Sequence, residues 1–311
     1  MEQKSIFSYF TSVKQQLAPY LTDTNLTEQY AWWLLEKVTQ QSRLTLITNP
    51  TLSLNTEQEL LVEQWIYQIT QKNKPIQYIL GSVPFNDLEL IIEPPILIPR
   101  PETEEWSAHI IDRLKQLSDR QVTILDLCTG SGCIGLSIAY HMPEAHVTIS
   151  DISETACSLA EKNRLYNSVA NVTVMQSDLF THLPDPKHFS YDLIICNPPY
   201  IAESEKKDLD VSVLNWEDHN ALFAPDNGLS IIQNIIKQAP RFIKHNKEMQ
   251  AQNIPQLIIE IGYKQGSCVK QMMYDTGYNE ISIHQDLKKH DRIVTGRVDY
   301  VANSRFRQKS H

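Results

Sequence analysis

The feature that most constrains the fold of this chain is the alternation of short apolar runs with amphipathic stretches from about Gln121 onward. Five of the runs have the length and the β-branched content of buried strands: VTILDL, HVTISDI, VTVMQSDL, YDLIIC and QLIIEI. The stretches between them, such as ETACSLAEKNRLYN, carry apolar residues at helical spacing. Apolar strands that alternate with helices are typical of parallel sheets covered on both faces. The sequence therefore predicts an α/β fold with a doubly wound, mostly parallel sheet.

The first 75 residues differ in pattern and predict a small helical domain. Apolar residues recur at helical spacing from Ile6 to Leu17, and the helix-like segments EQYAWWLLEKV and TEQELLVEQWIYQI follow. Thr56 and Glu59 fit a capping box at the start of the last segment. Turn residues at Asn86–Asp87 between β-prone runs then predict a hairpin. We expect a helical domain at 1–75, a β-hairpin linker at 76–100, an α/β domain at 101–300 and a basic tail at 301–311.

The composition excludes several classes of protein. No window approaches the roughly 18 apolar residues of a membrane span, and the opening segment lacks the apolar core of a signal peptide, so we expect a cytoplasmic protein without membrane contact. The five cysteines show no CxxC spacing, so neither a disulfide framework nor a metal site is expected. A net charge of −9 argues against a broad nucleic-acid-binding surface, and no direct nucleic-acid binding is expected.

The first predicted strand of the α/β domain runs into a Gly-rich turn, DLCTGSGCIGL. Ligands of doubly wound sheets bind at the carboxyl ends of the strands. Gly130 and Gly132 allow a tight turn there, and the helix that follows presents free N–H groups to a ligand. The turn alone is a weak signal, because glycine between a strand and a helix often serves packing only.

Acidic residues at the ends of the next two strands strengthen the prediction of a nucleoside site. Asp151 lies 19 residues after Gly132, where its carboxylate can accept both ribose hydroxyls. The alternative is that Asp151 caps the next helix, although Ser153 is available as a cap. Asp178 ends the third strand, in position to accept from an adenine amino group, and Leu179 and Phe180 are candidate apolar walls. Asp178 alone is better explained as a turn carboxylate, but the acidic strand ends around one Gly-rich turn together favour a nucleoside site.

The fourth strand delivers the tetrapeptide NPPY, which predicts methyl transfer to a planar nitrogen. Such a nitrogen is a poor nucleophile, because its lone pair is delocalised, and it must be held in line with the methyl group. The side-chain carbonyl of Asn197 and the backbone carbonyl of Pro198 can each accept one of its N–H groups. Pro198 and Pro199 fix the loop and remove competing donors, and the ring of Tyr200 can cover the planar group and favour the cationic methyl. S-adenosylmethionine as cofactor explains both this loop and the Gly-rich turn.

Several motifs together resemble one family of methyltransferases. DLCTGSGCIGLSIA, QSDLF and IICNPPYI resemble class I methyltransferases that modify planar nitrogen. NKPIQYILG, ILIPRPETEE, LIIEIGYKQG and QDLKKHDRIVTGR resemble the peptide chain release factor glutamine methyltransferases (PrmC/HemK), and the match spans about residues 74 to 297. The resemblance implies a Rossmann-like catalytic domain with a seven-stranded sheet and one antiparallel strand near its end. It further implies methylation of the side-chain amide nitrogen of the glutamine in the Gly-Gly-Gln loop of class 1 release factors. Separately, we expect the protein to be a monomer.

The resemblance also assigns roles by position. Thr129 to Gly132 border the methionine part of the cofactor, Asp151 the ribose, and Asp178 with Leu179 the adenine, while Asn197 to Tyr200 hold the substrate glutamine. The cofactor-binding candidates are then Cys128, Thr129, Gly130, Ser131, Gly132, Asp151, Asp178, Leu179 and Asn197, and the catalytic candidates are Asn197, Pro198, Pro199 and Tyr200.

Three residues depart from the family pattern. Cys128 stands where many relatives have glycine, which adds bulk beside the cofactor. Leu179 stands where relatives carry an aromatic residue, which would weaken stacking on adenine. Asp218 stands where the family tends to have proline.

Two other functions fit parts of the sequence. A nucleic-acid amino methyltransferase acting on adenine or cytosine uses the same loop chemistry, but it should carry a basic domain. A non-catalytic adaptor could retain the fold, although the intact NPPY loop speaks against it. Arg100 is a further candidate for organising the pocket, and its alternative is a solvated arginine at a helix start.

Overall fold

The computed structural model describes residues 5–21, 23–49, 51–118 and 121–298. Contacts divide these residues into two compact units. One unit contains the residues up to Ser82 together with Asp210–Trp216. The other contains Val83–Leu209 and the described residues from Glu217 onward. The segment 210–216 thus belongs to the first unit although the sequence around it belongs to the second.

The first unit is helical, as the spacing of its apolar residues predicts. Its helices are α1 (Ile6–Leu17), α2 (Thr24–Thr39), α3 (Arg43–Thr48), α4 (Thr56–Lys72), α5 (Ile76–Leu80) and α9 (Val211–Trp216). Trp32 of α2 stacks on Phe10 of α1 with ring centroids 4.4 Å apart. The capping box of α4 lies one residue earlier than the sequence predicts, because Asn55 is the N-cap and exchanges hydrogen bonds with Gln58. Thr56 is therefore the first helical residue and not the cap.

Helix α9 is held to the rest of the first unit by its last residue. The Trp216 indole Nε1 donates to the carbonyl of Lys72 at 2.8 Å. The ammonium of Lys74 lies 5.1 Å from the centroid of the Trp216 ring, within the range of a cation–π contact. The α9 backbone is thereby fixed to the end of α4.

The second unit contains a hairpin and a seven-stranded sheet. Its strands are β1 (Ser82–Phe85), β2 (Leu88–Ile91), β3 (Thr123–Leu127), β4 (His146–Asp151), β5 (Val172–Gln176), β6 (Leu193–Cys196), β7 (Leu257–Glu260), β8 (Tyr278–Gln285) and β9 (Asp291–Val298). Strands β1 and β2 are joined at Asn86 and Asp87, which both have positive φ as a two-residue type I′ turn requires.

Helices cover the sheet of the second unit. They are α6 (Pro101–Leu114), α7 (Cys133–His141), α8 (Glu154–Tyr166), α10 (His219–Leu222), α11 (Pro225–Gly228), α12 (Ser230–Gln238), α13 (Lys247–Ala251) and α14 (Gly266–Asp275). Short 3₁₀ turns add Glu203–Asp208 and Ala239–Arg241. The single turn α11 contains two left-handed residues, Asp226 and Asn227.

The strand order of the sheet is β5-β4-β3-β6-β7-β9-β8. Strands β3 to β7 pair in parallel, and β9 runs antiparallel to both β7 and β8. The chain builds outward from β3 in one direction and then returns to add β6 on the other side. This confirms the predicted doubly wound, mostly parallel sheet of seven strands with an antiparallel strand near the end.

Every helix in the described ranges is too short or too polar to cross a membrane. The predicted basic tail at 301–311 lies outside the described residues.

Candidate active site

The sequence motifs meet where the strand order reverses. Leu127, the last residue of β3, pairs with Cys196, the last residue of β6. The Gly-rich turn and the NPPY loop therefore leave neighbouring strands at the same edge of the sheet. This crevice is where open α/β sheets bind their ligands.

The Gly-rich turn has three left-handed residues, Cys128, Gly130 and Gly132. A Cβ on Gly132 would lie 2.7 Å from a Leu136 side-chain carbon, so this glycine allows close packing. A Cβ on Gly130 would meet only Ile96, at 4.0 Å. Gly130 thus leaves open space at the turn, as a ligand cradle requires.

A buried carboxylate holds the turn from beneath, and our sequence analysis missed it. Asp126 lies within β3 and is fully buried. Its Oδ2 accepts from the Thr129 hydroxyl at 2.6 Å and from the Gly135 N–H at 2.9 Å, while Oδ1 has no partner among the described residues. Burial raises the pKa of Asp126 to about 7. The signal in the sequence is an acidic residue inside the apolar run TILDL.

Asp151 ends β4 beside the turn. Its Oδ2 accepts from the Gly130 N–H at 2.9 Å, and its Oδ1 accepts from the Ser153 N–H at 3.0 Å. The cap of helix α8 is Ser153, whose hydroxyl accepts from the Ala156 N–H. The carboxylate of Asp151 is therefore bonded to the Gly-rich turn itself, which the helix-cap alternative does not explain. Burial raises the pKa of Asp151, against the lowering effect of these hydrogen bonds.

The three residues of the turn after β5 differ in their exposure to solvent. Asp178 is exposed, and Leu179 is half-buried with a left-handed φ of 47°. Phe180 is only 3% exposed and stacks on Phe242 with centroids 4.6 Å apart. Phe180 is therefore a core residue, and its prediction as an apolar wall of the site is wrong.

The NPPY loop follows β6 with its first and last side chains half-buried. Asn197 Nδ2 donates to the Thr103 hydroxyl at 3.4 Å. The Tyr200 hydroxyl lies 3.5 Å from Glu260 Oε1. Burial and the nearby Glu260 raise the pKa of Tyr200, so its hydroxyl remains a hydrogen-bond donor at neutral pH.

Gly228 and Gln265 fix the exit of the NPPY loop, and both were missed by sequence reasoning. Gln265 Nε2 donates to the carbonyl of Tyr200 at 2.8 Å, and its Oε1 accepts from the Gly262 N–H at 2.9 Å. Gly228 has a φ of 81°, and a Cβ there would lie 2.0 Å from the Tyr200 carbonyl oxygen. The backbone of Tyr200 is therefore clamped between two segments that are remote from it in sequence.

A second buried carboxylate, Glu260, closes the site from the β7 side. It ends β7 and is 1% exposed. Its Oε2 accepts from the Thr103 hydroxyl and from the Trp106 indole N–H, each at 2.7 Å. Burial raises the pKa of Glu260, whereas these two donors and the guanidinium of Arg292 lower it.

Arg100 has a structural partner in the same unit. Its guanidinium lies 2.6 Å from the carboxylate of Glu217, whose side chain is 1% exposed. The adjacent Asp218 donates its backbone N–H to the carbonyl of Pro95 at 2.8 Å. A proline at 218 has no N–H and could not make this bond.

Comparisons with known proteins agree with this architecture. The profile described as Methyltransferase small domain matches residues 104–215, and that described as PrmC N-terminal domain matches residues 12–81. Among solved structures, the hMettl16 catalytic domain in complex with MAT2A 3′UTR hairpin 6 superposes with a TM-score of 0.53 at 15% identity. The superposition covers 87% of this chain and 92% of that one, and it shows the fold alone.

Two curated relatives match over nearly their whole length. The release factor glutamine methyltransferase of Lactococcus lactis subsp. lactis is 36% identical over 268 residues, which is 86% of this chain and 92% of the relative. That of Flavobacterium psychrophilum is 33% identical over 291 residues, which is 93% of this chain and 98% of the relative.

The sheet topology, the Gly-rich turn and the methyltransferase profile define this chain as a class I S-adenosylmethionine-dependent methyltransferase. Within that class, the sequence identity to the two relatives shows the family. The chain belongs to the release factor glutamine methyltransferases.

Proposed function

We propose that this chain methylates the side-chain amide nitrogen of the glutamine in the Gly-Gly-Gln loop of class 1 peptide chain release factors. The observation that carries the proposal is the meeting of the Gly-rich turn and the NPPY loop at the ends of β3 and β6. In this proposal the turn holds the cofactor and the loop holds the planar amide, within one crevice.

The residues around the Gly-rich turn fit S-adenosylmethionine, which supplies an electrophilic methyl group on a sulfonium when it is bound. Gly130 leaves open space for the close approach of a ligand. Asp151 supplies acceptor oxygens for the ribose hydroxyls while its hydrogen bond to Gly130 keeps it at the turn. The exposed Asp178 and the half-buried Leu179 would face the adenine. The set that we assign to the cofactor is completed by Cys128, Thr129, Ser131, Gly132 and Asn197.

The NPPY loop would bind and orient the substrate amide. The Asn197 side-chain carbonyl and the Pro198 backbone carbonyl each accept one amide N–H, which aims the nitrogen lone pair at the methyl group. The bound cofactor would supply the methyl group from its sulfonium to this nitrogen, and the surplus amide proton would leave to solvent. Pro199 keeps the loop rigid, and Tyr200 covers the planar amide. No strong base is required, because acceptors that polarise the N–H bonds suffice.

The proposed partner is a folded release factor, and we expect the enzyme to act on it as a monomer in the cytoplasm. The net charge of −9 fits a protein partner better than a nucleic acid, whose nonspecific binding depends on lysine and arginine.

The test is mass spectrometry of a purified class 1 release factor incubated with this protein and S-adenosylmethionine. We expect one added methyl group on the Gly-Gly-Gln glutamine. The Asn197→Ala variant should add none while it still binds the cofactor, which calorimetry measures. A release factor with that glutamine replaced by asparagine is the matched substrate control.

Two results would contradict the proposal. A methyl group on another residue would contradict the assignment of the Gly-Gly-Gln glutamine as the substrate. Near-normal transfer by Asn197→Ala would remove the role of this side chain.

A further inference from the structure

We propose that Thr103 is a positioning residue that sets which way the Asn197 amide faces, and that Glu260 fixes the polarity of Thr103. This rests on the proposed role of Asn197 as an acceptor for the substrate amide. Thr103 lies in the first turn of α6, three residues after Arg100, and Glu260 ends β7. Two separate elements, α6 and β7, thus meet behind the NPPY loop.

The three side chains form a continuous chain of hydrogen bonds. Asn197 Nδ2 lies 3.4 Å from the Thr103 hydroxyl oxygen, and that hydroxyl lies 2.7 Å from Glu260 Oε2. Thr103 and Glu260 are each 1% exposed. Water therefore cannot replace either partner, and the direction of each bond is decided by the groups themselves.

The donors and acceptors leave one consistent arrangement. Glu260 Oε2 accepts two hydrogen bonds, from Thr103 and from the Trp106 indole. The indole nitrogen is a donor only, and an oxygen of ionised Glu260 is an acceptor only, so with Glu260 ionised the Thr103 hydroxyl gives its single proton to Oε2. The Thr103 oxygen then has only lone pairs left to offer. The amide group that faces Thr103 must accordingly be the NH₂ of Asn197.

This arrangement determines what Asn197 offers to the substrate. With its NH₂ held toward Thr103, its carbonyl oxygen points away from Thr103 and is left to accept from the substrate. In the flipped rotamer, the NH₂ would face the N–H groups of the substrate amide, and two donors would oppose each other. The chain from Glu260 through Thr103 therefore selects the amide orientation that can accept. The Thr103 hydroxyl takes part in both bonds of the chain, so its isosteric removal breaks the link between Glu260 and Asn197.

The decisive variant is Thr103→Val, which keeps the shape of the side chain and removes the hydroxyl. We expect the turnover number for release factor methylation to fall by about 10- to 100-fold, as for other losses of reactant positioning. The cofactor dissociation constant, measured by calorimetry, should change by less than about threefold, because Thr103 contacts the NPPY loop and not the Gly-rich turn. Thr103→Ser restores the hydroxyl and should restore turnover.

Two further variants separate positioning from structural damage. Ser107→Ala removes another buried hydroxyl from the same helix, and this hydroxyl contacts Asn86 and not the NPPY loop. The variant therefore measures how much the loss of a buried hydroxyl lowers the stability of the fold, without a change at the NPPY loop. Glu260→Gln keeps an oxygen that can accept from both Thr103 and Trp106, so its turnover should exceed that of Thr103→Val. Should Thr103→Val fail to fold, Thr103→Ala is measured against Thr103→Ser in the same way.

The inference and the proposed function fail separately. Wild-type enzyme that adds no methyl to the release factor contradicts the proposed function. Active wild-type enzyme together with wild-type turnover in Thr103→Val overturns the positioning role. So does a loss in Thr103→Val that only parallels weaker cofactor binding or a lower melting temperature.

Discussion

Asp126 is a buried carboxylate that accepts hydrogen bonds from the Gly-rich turn, and its ionised form lowers the stability of the fold. It accepts from Thr129 and Gly135 through one oxygen, and the other oxygen is buried without a partner among the described residues. Its pKa is raised from 3.8 to about 7, so the fold favours the neutral acid. The native state therefore binds more protons than the unfolded chain between these two values.

We predict that Asp126→Asn flattens the pH dependence of stability. In the wild type, the contribution of neutral Asp126 is fully present below pH 3.8 and is lost as the pH rises through about 7. The loss is on the order of 4 kcal/mol, and asparagine does not titrate. Urea unfolding of both proteins from pH 4 to 8 measures it: the wild type should lose stability relative to the variant as the pH rises. Parallel pH profiles would show that Asp126 titrates normally.

Cys128 carries a backbone conformation that favours glycine, with a φ of 57°. The left-handed region costs a non-glycine residue roughly 1–2 kcal/mol of strain. Replacing Cys128 by glycine removes this strain, but the greater conformational freedom of glycine stabilises the unfolded chain and offsets part of the effect. We predict that Cys128→Gly raises the free energy of unfolding by about 0.5–1 kcal/mol. Cys128→Val, with a β-branched side chain, should lower it. Denaturant unfolding gives both values, and equal effects of the two variants would exclude a backbone origin.

At the scale of elements, the NPPY loop depends on turns that are far from it in sequence. Gly228 packs its backbone against the Tyr200 carbonyl, and Gln265 donates to the same carbonyl. The loop is thus rigid at its centre because of two prolines and rigid at its exit because of a clamp.

We predict that Gly228→Ala lowers methyl transfer by at least about tenfold, because a Cβ 2.0 Å from the Tyr200 oxygen must displace the loop. Cofactor binding should be retained. Gly277→Ala is the matched control, since Gly277 also has a positive φ of 91° but has open space where a Cβ would stand. Steady-state turnover of both variants separates the clash from the backbone strain, and equal losses would argue against the clamp.

The elements themselves could be predicted from the sequence more fully than the contacts between them. The apolar runs that end at Asp151 and Cys196 predict buried strands by themselves, because a strand that is buried on both faces needs apolar side chains throughout. The clamp at Gly228 could not be predicted, since a glycine in PDNGL looks like any turn residue until Tyr200 is placed beside it. The predicted capping box of α4 was displaced by one residue from the observed one, because the neighbouring residues Asn55 and Thr56 are both good N-caps.

At the scale of the whole molecule, the chain does not divide at a single point. The second unit is interrupted by Asp210–Trp216, which belongs to the first unit. These seven residues follow the NPPY loop closely in sequence. The stability of the first unit therefore depends on a segment encoded within the second.

We predict that Trp216→Phe destabilises the first unit. The variant loses the hydrogen bond from the indole Nε1 to the Lys72 carbonyl, which is worth about 1 kcal/mol, and keeps an aromatic ring for Lys74. Limited proteolysis should cut faster within 210–216, and the melting temperature of the first unit should fall by a few degrees. Trp33→Phe is the control, because the Trp33 ring packs on Tyr30 and its indole N–H makes no hydrogen bond within the described residues. Equal cutting in both variants would contradict the prediction.

The membership of helix α9 in the first unit has a consequence for biosynthesis. A ribosome releases the chain from its N-terminus, so the residues up to Ser82 emerge well before Asp210–Trp216 has been translated. The first unit therefore lacks α9 until residues 83–209 have been made. Its final packing is therefore a late event of synthesis, completed only after the strands that carry the Gly-rich turn and the NPPY loop have left the ribosome.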